Sequence, residues 1–194
     1  RNNTARDEDI AGVVVMTRPT SNYIVGNDLR DSQNGLSTVG SRSYFADNVL
    51  VNNTNGLRIG ARASVFTRNV IAKNDMGARA STILPSNDVT RNDFVDNEVQ
   101  VRAAAGAMRI WGNDGVGNYW SNAPHGSDVF RPTDPVDSSV TTTDGMVTLK
   151  KSPSYTLLHG LEAVVPGMRS SGIVDEGPLN EPAVYDGNVT EETE

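Results

Sequence analysis

Few residues of this sequence could hold a metal ion, and they are scattered along the chain. Thioether and imidazole groups suit soft and borderline metal ions, and the chain offers them at Met16, Met76, Met108, Met146, Met168, His125 and His159. No two of them have a short ligand spacing such as M-x-x-M or H-x-H. His125, in a loop region that we expect to be exposed, is the best single candidate for a metal ligand. His159 falls in a predicted helix, where a packing or surface role is expected.

One pair of carboxylates has a spacing that could serve hydrolysis of a polysaccharide. Glycosidases use two carboxylates roughly 5 to 10 Å apart. Asp93 and Asp114 are predicted to stack on adjacent coils of a repeat and to point outward. Arg68 and Arg91 are predicted to stack beside them, so a solvated salt-bridge lattice is the competing interpretation.

Three arginines are predicted to form a column on the surface. Arg58, Arg79 and Arg102 occupy the same place in successive repeats, on the outward side of a strand. Stacked coils lie about 4.8 Å apart, and like charges at that spacing repel one another unless anions lie between them. In a chain of net charge −7, this arginine column predicts a docking surface for an acidic partner. The alternative is that aspartates of the chain's own C-terminal arm cover it.

A repeat positions the carboxylate and arginine candidates. Residues 43–59 read SYFADNVLVNNTNGLRI, and residues 64–80 read SVFTRNVIAKNDMGARA. Asn48, Asn53 and Gly56 therefore recur 21 positions later. Apolar and polar residues alternate around each Asn, which is typical of strands, and a unit this short buries its apolar face only by stacking on its neighbours. A leucine-rich repeat has a similar period, but no unit contains a helical half or dense leucine spacing.

The sequence predicts an all-β protein, a right-handed single-stranded parallel β-helix with about five to six coils of ~21 residues. An Asn at a coil corner tolerates the left-handed conformation, and stacked amides can bond from coil to coil. Two structural Asn columns are predicted at Asn27, Asn48, Asn69, Asn92 and Asn113, and at Asn53, Asn74, Asn97 and Asn118. Tyr119 and Trp120 are predicted to cap the C-terminal end of the coils, since an uncovered end invites edge association.

The chain divides into four predicted segments. The β-helix coils span residues 1–121, and an irregular arm or linker spans 122–151. Residues 152–183 form a docking tail with one short helix, which starts at Ser152 and Pro153 and ends before Pro166. Residues 184–194 are expected to be disordered.

Composition limits the function classes. A net charge of −7 and a pI of about 4.8 argue against nonspecific nucleic-acid binding, which needs a basic surface. The chain has no Cys, so disulfides play no part. It contains no predicted signal peptide or transmembrane segment, and because it begins without Met we expect a fragment or a processed product.

Several motifs together resemble the C-terminal half of the NosD family. They are the coil pattern N-x-[LIF]-x-x-N-x-x-G-[LA], GNYWS at 117–121, RPTDPVD at 131–137, and the run from 152 to 182 that ends IVDEGPLNEP. The resemblance implies a periplasmic or extracytoplasmic, non-catalytic accessory protein. The partners that the resemblance implies are ABC transporter subunits and nitrous oxide reductase or a copper chaperone. The implied role is copper-site maturation of the reductase, and the implied ligand is a copper ion.

A second function class stays open at this stage. The coil pattern alone is shared with pectate-lyase-like β-helices, so a polysaccharide-acting enzyme or a glycan-binding module is the alternative.

Overall fold

The computed structural model describes residues 1–15, 21–81, 86–103, 109–132 and 172–187, and every regular element within these ranges is a β-strand. In chain order the strands are β1 (Thr4–Arg6), β2 (Val13–Val15), β3 (Tyr23–Val25), β4 (Asp28–Arg30), β5 (Asn34–Thr38), β6 (Tyr44–Ala46), β7 (Val49–Val51), β8 (Asn55–Ile59), β9 (Val65–Thr67), β10 (Val70–Ala72), β11 (Met76–Ala80), β12 (Asp88–Thr90), β13 (Asp93–Val95), β14 (Val99–Ala103), β15 (Arg109–Trp111), β16 (Tyr119–Trp120), β17 (Val129–Phe130) and β18 (Ile173–Glu176).

The strands stack into three parallel sheets that run along the axis of a right-handed β-helix. The six-stranded sheet has the order β1-β4-β7-β10-β13-β16, the five-stranded sheet β14-β11-β8-β5-β2, and the four-stranded sheet β12-β9-β6-β3. Four turns carry one strand in each of the three sheets, and a partial turn flanks them at each end. The predicted parallel β-helix is confirmed.

Three corners separate the strands of each turn, and most of the described corners carry a residue with positive φ. In one turn these residues are Arg42, Asp47 and Asn52, with φ of 52°, 53° and 57°. The left-handed conformation changes the chain direction, so the segment around Asn48 is divided into β6 and β7. Each turn therefore has three strands.

A continuous apolar core fills the inside of the coils. Its columns follow the strand register and include Ile24, Phe45, Phe66 and Val89; Leu29, Leu50, Ile71, Phe94 and Trp120; and Leu36, Leu57, Ala78 and Val101. Phe45 and Phe66 stack with ring centroids 4.6 Å apart. Burial of each large apolar side chain contributes about 1.5 to 3 kcal/mol, so the fold is stabilised by contacts between turns.

Residues 172–187 close the C-terminal end of the coils. β18 pairs in parallel with β15 and antiparallel with β17, and Ile173 and Val174 of β18 are buried. The Leu179 N–H donates to the Asn118 carbonyl oxygen over 2.9 Å. The predicted helix that starts at Ser152 lies outside the described residues. Among the residues that are described, no helix has the length and apolar character needed to cross a membrane.

Candidate functional site

A ladder of asparagines, buried from Asn27 onward, runs down one corner of the β-helix. The side-chain oxygen of each member after the first accepts two hydrogen bonds from the member one turn before it, one from the backbone N–H and one from the side-chain amide. From Asn48 to Asn69 these distances are 3.1 and 2.8 Å. The members of this first ladder are Asn3, Asn27, Asn48, Asn69, Asn92 and Asn118.

The last asparagine of the first ladder differs from the predicted one. Asn118, assigned from sequence to the second column, accepts both bonds from Asn92, over 3.1 and 2.9 Å. Asn113, predicted at this place, is exposed and forms an isolated bridge with Val116. Asn118 lies 26 positions after Asn92, because an extra four-residue β-turn at residues 113–116 displaces the position predicted by a regular count of 21.

A carboxylate terminates the first ladder. Oδ2 of Asp175 accepts the backbone N–H and the side-chain amide of Asn118, both over 2.9 Å, and the indole N–H of Trp120 over 2.7 Å. Its Oδ1 has no hydrogen-bond partner among the described residues. Burial raises the pKa of Asp175 above its ordinary value of 3.8, and the hydrogen bonds from Asn118 and Trp120 oppose that rise.

The other two corners carry ladders of their own. The second ladder consists of Ser32, Asn53, Asn74 and Asn97, and it continues from Asn97 through Gln100 to Ser121. The third consists of Asn22, Ser43, Ser64 and Asn87. The sequence pattern did not predict the third ladder. Its signal is a Ser or Asn five positions before each asparagine of the first ladder from Asn27 to Asn92.

The stacked carboxylate pair considered for hydrolysis does not form. Tyr119, rather than Asp114, lies in register with Asp93 on the next strand, and Asp114 lies at the exposed extra turn with φ of 51°. Asp93 is fully buried. Its Oδ1 accepts the Ala183 N–H and its Oδ2 accepts the N–H groups of Val184 and Tyr185, each over 2.7 Å.

Asp93 therefore binds the C-terminal tail to the outer face of the six-stranded sheet. Val184 and Tyr185 stand at the start of the segment predicted to be disordered, and their bonds to Asp93 correct that expectation for these two residues. Tyr185 also packs against the outward side chains Val51, Val70, Ala72 and Val95.

The predicted end-cap residues lie at the closed end of the coils. Trp120 is buried and stacks on Phe94 with a centroid distance of 4.2 Å. Trp111 stacks against Trp120 at 6.1 Å, and Phe130 lies tilted at 5.9 Å. Tyr119 points outward and packs against the same outer apolar group as Tyr185. The two side chains therefore project from opposite faces of β16, the last strand of the six-stranded sheet.

The arginines Arg58, Arg79 and Arg102 lie in register on three consecutive strands, β8, β11 and β14. Arg58 and Arg79 are exposed, and Arg102 is half-buried. Each of them points away from the core between two buried interior residues of its strand.

Metal-ligand candidates stay dispersed in the structure. His125 is exposed and borders a small cavity with Trp120 and Pro178, and Met76 is half-buried on the five-stranded sheet. In the described ranges, no group of three or more His, Cys, Asp or Glu side chains could hold a metal ion. Met16, Met108, Met146, Met168 and His159 lie outside those ranges.

Comparison with known sequences assigns the repeat to a family. A family model described as "Periplasmic copper-binding protein (NosD)" matches residues 1–125, which contain all four complete turns and Asn118. The chain belongs to the NosD family. It is 33% identical over 101 residues to a "Probable ABC transporter binding protein NosD" of Stutzerimonas stutzeri, covering 48% of this chain and 23% of that protein. A relative of the same name from Pseudomonas aeruginosa is also 33% identical over 101 residues, with 48% and 24% covered.

The chain thus spans about a quarter of the length of these NosD relatives. The NosD match ends at residue 125, whereas Asp175 and the tail bound by Asp93 come later in the sequence and complete the same β-helix. The family description names copper, but the described donors do not fit a copper site. Copper is held by sets of soft thiolate, thioether or imidazole ligands, and here one exposed His and one Met lie on separate elements.

Proposed function

We propose that this NosD-family chain belongs to a non-catalytic extracytoplasmic accessory protein that works with an ABC transporter in copper-site maturation of nitrous oxide reductase. The observation that carries the proposal is the NosD match across all complete turns of the β-helix. The name of the two relatives, which refers to binding of an ABC transporter, supports the transporter as a partner. The family description supports a periplasmic location.

The use of the buried polar groups supports a scaffold role over a polysaccharide-acting one. Both oxygens of Asp93 accept backbone N–H groups of the tail, and Asp175 terminates the first ladder. A catalytic carboxylate must reach its substrate, and neither of these buried side chains is available to one.

Because the described donors do not fit a copper site, we assign to these turns the role of positioning partner proteins. In that role the β-helix holds partners at fixed places along its axis, and the metal is cargo carried by other proteins of the process. The three polar ladders keep the turns in a single register, which such positioning needs.

A copper-loading experiment tests the proposal. Nitrous oxide reductase is produced in cells with the complete accessory protein, without it, and with an Asp114→Asn variant, and the copper content of the purified reductase is measured. We expect low copper content only when the protein is absent, because Asp114 has no catalytic role. Equal copper content with and without the protein would contradict the proposal. Hydrolysis of an oligosaccharide by the protein, abolished by Asp114→Asn, would support the enzyme alternative.

A further inference from the structure

The arginine column is a regular array of positive charge on one sheet. Strand register places Arg79 directly between Arg58 and Arg102 on the outer face of the five-stranded sheet. Neighbouring strands lie about 4.8 Å apart, so the three residues span roughly 10 Å along the axis. The corresponding positions on the two preceding strands are Ser37 and Val14, which carry no charge. The charge is therefore confined to the last three strands of this sheet.

Arg30 and Arg68 have acidic partners, whereas the described residues supply none to the arginine column. Arg30 pairs with Asp28 at 2.6 Å, and Arg68 pairs with Asp47 on the adjacent turn at 2.7 Å. Among the described residues, no ion pair joins an acidic group to Arg58, Arg79 or Arg102, and their one polar contact is a long 3.5 Å approach of Arg58 to the Asn34 amide oxygen.

The acidic residues nearest in sequence lie just before strands β11 and β14, and among the described residues they form no ion pair with the column. Asp75 and Glu98 precede Arg79 and Arg102 by four residues, which is about 13 Å along an extended chain. An ion pair needs nitrogen and oxygen within about 4 Å. Stacked guanidinium groups at one-strand spacing repel one another, so the array is stabilised when anionic groups lie over it.

From this geometry we propose that the arginine column binds an extended acidic segment of a partner polypeptide, which lies across strands β8, β11 and β14. The inference rests on the proposed scaffold function and names the chemistry of the partner that one face of the scaffold holds. Guanidinium groups pair with carboxylates through two parallel hydrogen bonds. An extended peptide rises about 3.3 Å per residue, so about four residues cross the three arginines.

An acidic peptide fits this surface better than a nucleic acid or a small anion does. A nucleic acid presents a dense row of phosphates and is bound by domains of strongly positive charge, whereas this chain has a net charge of −7. A single phosphate is too small to contact all three arginines. A short segment with carboxylate side chains can pair with the three arginines. Because it is short, it avoids repulsion by the acidic groups elsewhere on the surface.

Fluorescence anisotropy with a labelled glutamate-rich peptide tests the inference directly. The peptide is titrated with the full chain, with Arg79→Glu, and with Arg91→Glu as the matched control, because Arg91 is an exposed arginine at the corner between β12 and β13, outside the five-stranded sheet. We expect Arg79→Glu to weaken binding by about tenfold or more and Arg91→Glu by less than about twofold. Binding by the unaltered chain should also weaken as salt rises, since exposed charge pairs are screened. Circular dichroism and thermal unfolding verify that both variants fold.

Three outcomes would overturn the inference. They are an absence of peptide binding, equal binding by the chain and Arg79→Glu, and a preference for inorganic phosphate, polyphosphate or a lysine-rich peptide over the glutamate-rich one. The copper-loading experiment is independent of this titration. If the protein supports copper loading but does not bind the peptide, the proposed function stands and the acidic partner is rejected. If it binds the peptide but does not support copper loading, the proposed function is rejected and peptide binding by the arginine column stands.

Discussion

Asp175 shows how one residue can complete a structure built from distant parts of the chain. Every asparagine of the first ladder donates two hydrogen bonds toward the next turn, so the last one needs an acceptor that the repeat does not supply. Asp175 supplies it, and the same oxygen also satisfies the indole N–H of Trp120. A buried donor without a partner costs about 1 to 3 kcal/mol, so the carboxylate compensates for three such costs.

The raised pKa of Asp175 predicts a pH dependence of folding stability. Because burial favours the protonated form in the folded state, the stabilisation that this group contributes is complete below its ordinary pKa of 3.8. It is then lost as the pH rises through the higher folded-state pKa. Denaturant unfolding of the chain and of Asp175→Asn at a series of pH values measures this difference. We expect the free energy of unfolding of the chain, relative to the variant, to fall across that window.

Asp128→Asn, which alters an exposed carboxylate near the same end of the coils, is the control for Asp175→Asn. It should leave the pH profile of the unaltered chain unchanged. A relative stability that rises with pH, or that stays flat, would contradict a raised pKa for Asp175.

At residue level, the repeat leads from Asn27 to Asn92 along the first ladder but does not lead to its last member, Asn118. Counting 21 positions from Asn92 gives Asn113, and nothing in the period reveals that residues 113–116 form an extra turn. The residue two positions after the ladder asparagine carried the missing signal. It is apolar after Asn48, Asn69 and Asn92, is Gly115 after Asn113, and is Trp120 after Asn118. The type of residue two positions after an asparagine, which faces the core, thus identifies the ladder asparagine better than the 21-residue spacing does.

At the scale of elements, the tail and the outer face of the six-stranded sheet stabilise each other. Strands exposed on one side carry polar residues there, yet the outward positions of β7, β10 and β13 include Val51, Val70 and Val95, which are nearly buried. Tyr185 packs on this surface, and Asp93 binds the tail backbone beside it. Sequence alternation predicted which residues face the core but could not show that a segment some ninety residues away covers part of the outside.

Removing the negative charge of Asp93 is predicted to release the tail while leaving the coils intact. Asp93→Asn replaces one of two accepting oxygens by an amide that itself donates, so at least one of the three N–H groups loses its acceptor. Hydrogen bonds to charged groups contribute about 1.5 to 3 kcal/mol each. We therefore expect hydrogen exchange of the Ala183, Val184 and Tyr185 amides to accelerate by about tenfold or more.

Two comparisons make the Asp93 experiment specific. The Val70 amide, which donates to the Asn48 carbonyl oxygen over 2.9 Å inside the coils, should exchange at an unchanged rate in the variant. Asp96→Asn changes a carboxylate at an exposed corner and should leave the tail protected. Unchanged protection of the tail amides in Asp93→Asn would show that other contacts hold the tail.

At the scale of the whole molecule, the β-helix is a stack whose stability depends on how its ends are covered. Each turn contacts only its neighbours, so the last turn relies on the segment that packs against its open side. Here the cover comes from β18 and the residues up to 187, which lie beyond the part of the chain matched by the NosD family model. The repeat could be predicted because its residues recur in the sequence. The covering segment occurs only once, so no recurring pattern indicates it.

Two truncations test whether this cover belongs to the folding unit. Removal of residues 188–194 deletes none of the described contacts and should leave the free energy of unfolding unchanged within about 0.5 kcal/mol. Removal of residues 172–194 deletes the acceptor of Asn118 and Trp120 and the buried Ile173, which together should cost at least about 4 kcal/mol. Denaturant unfolding followed by Trp fluorescence measures both, because Trp120 lies at the uncovered end. Equal stability of the two truncated chains would mean that the coils end at Trp120 without help, and the tail would then be an appendage rather than the last layer of the β-helix.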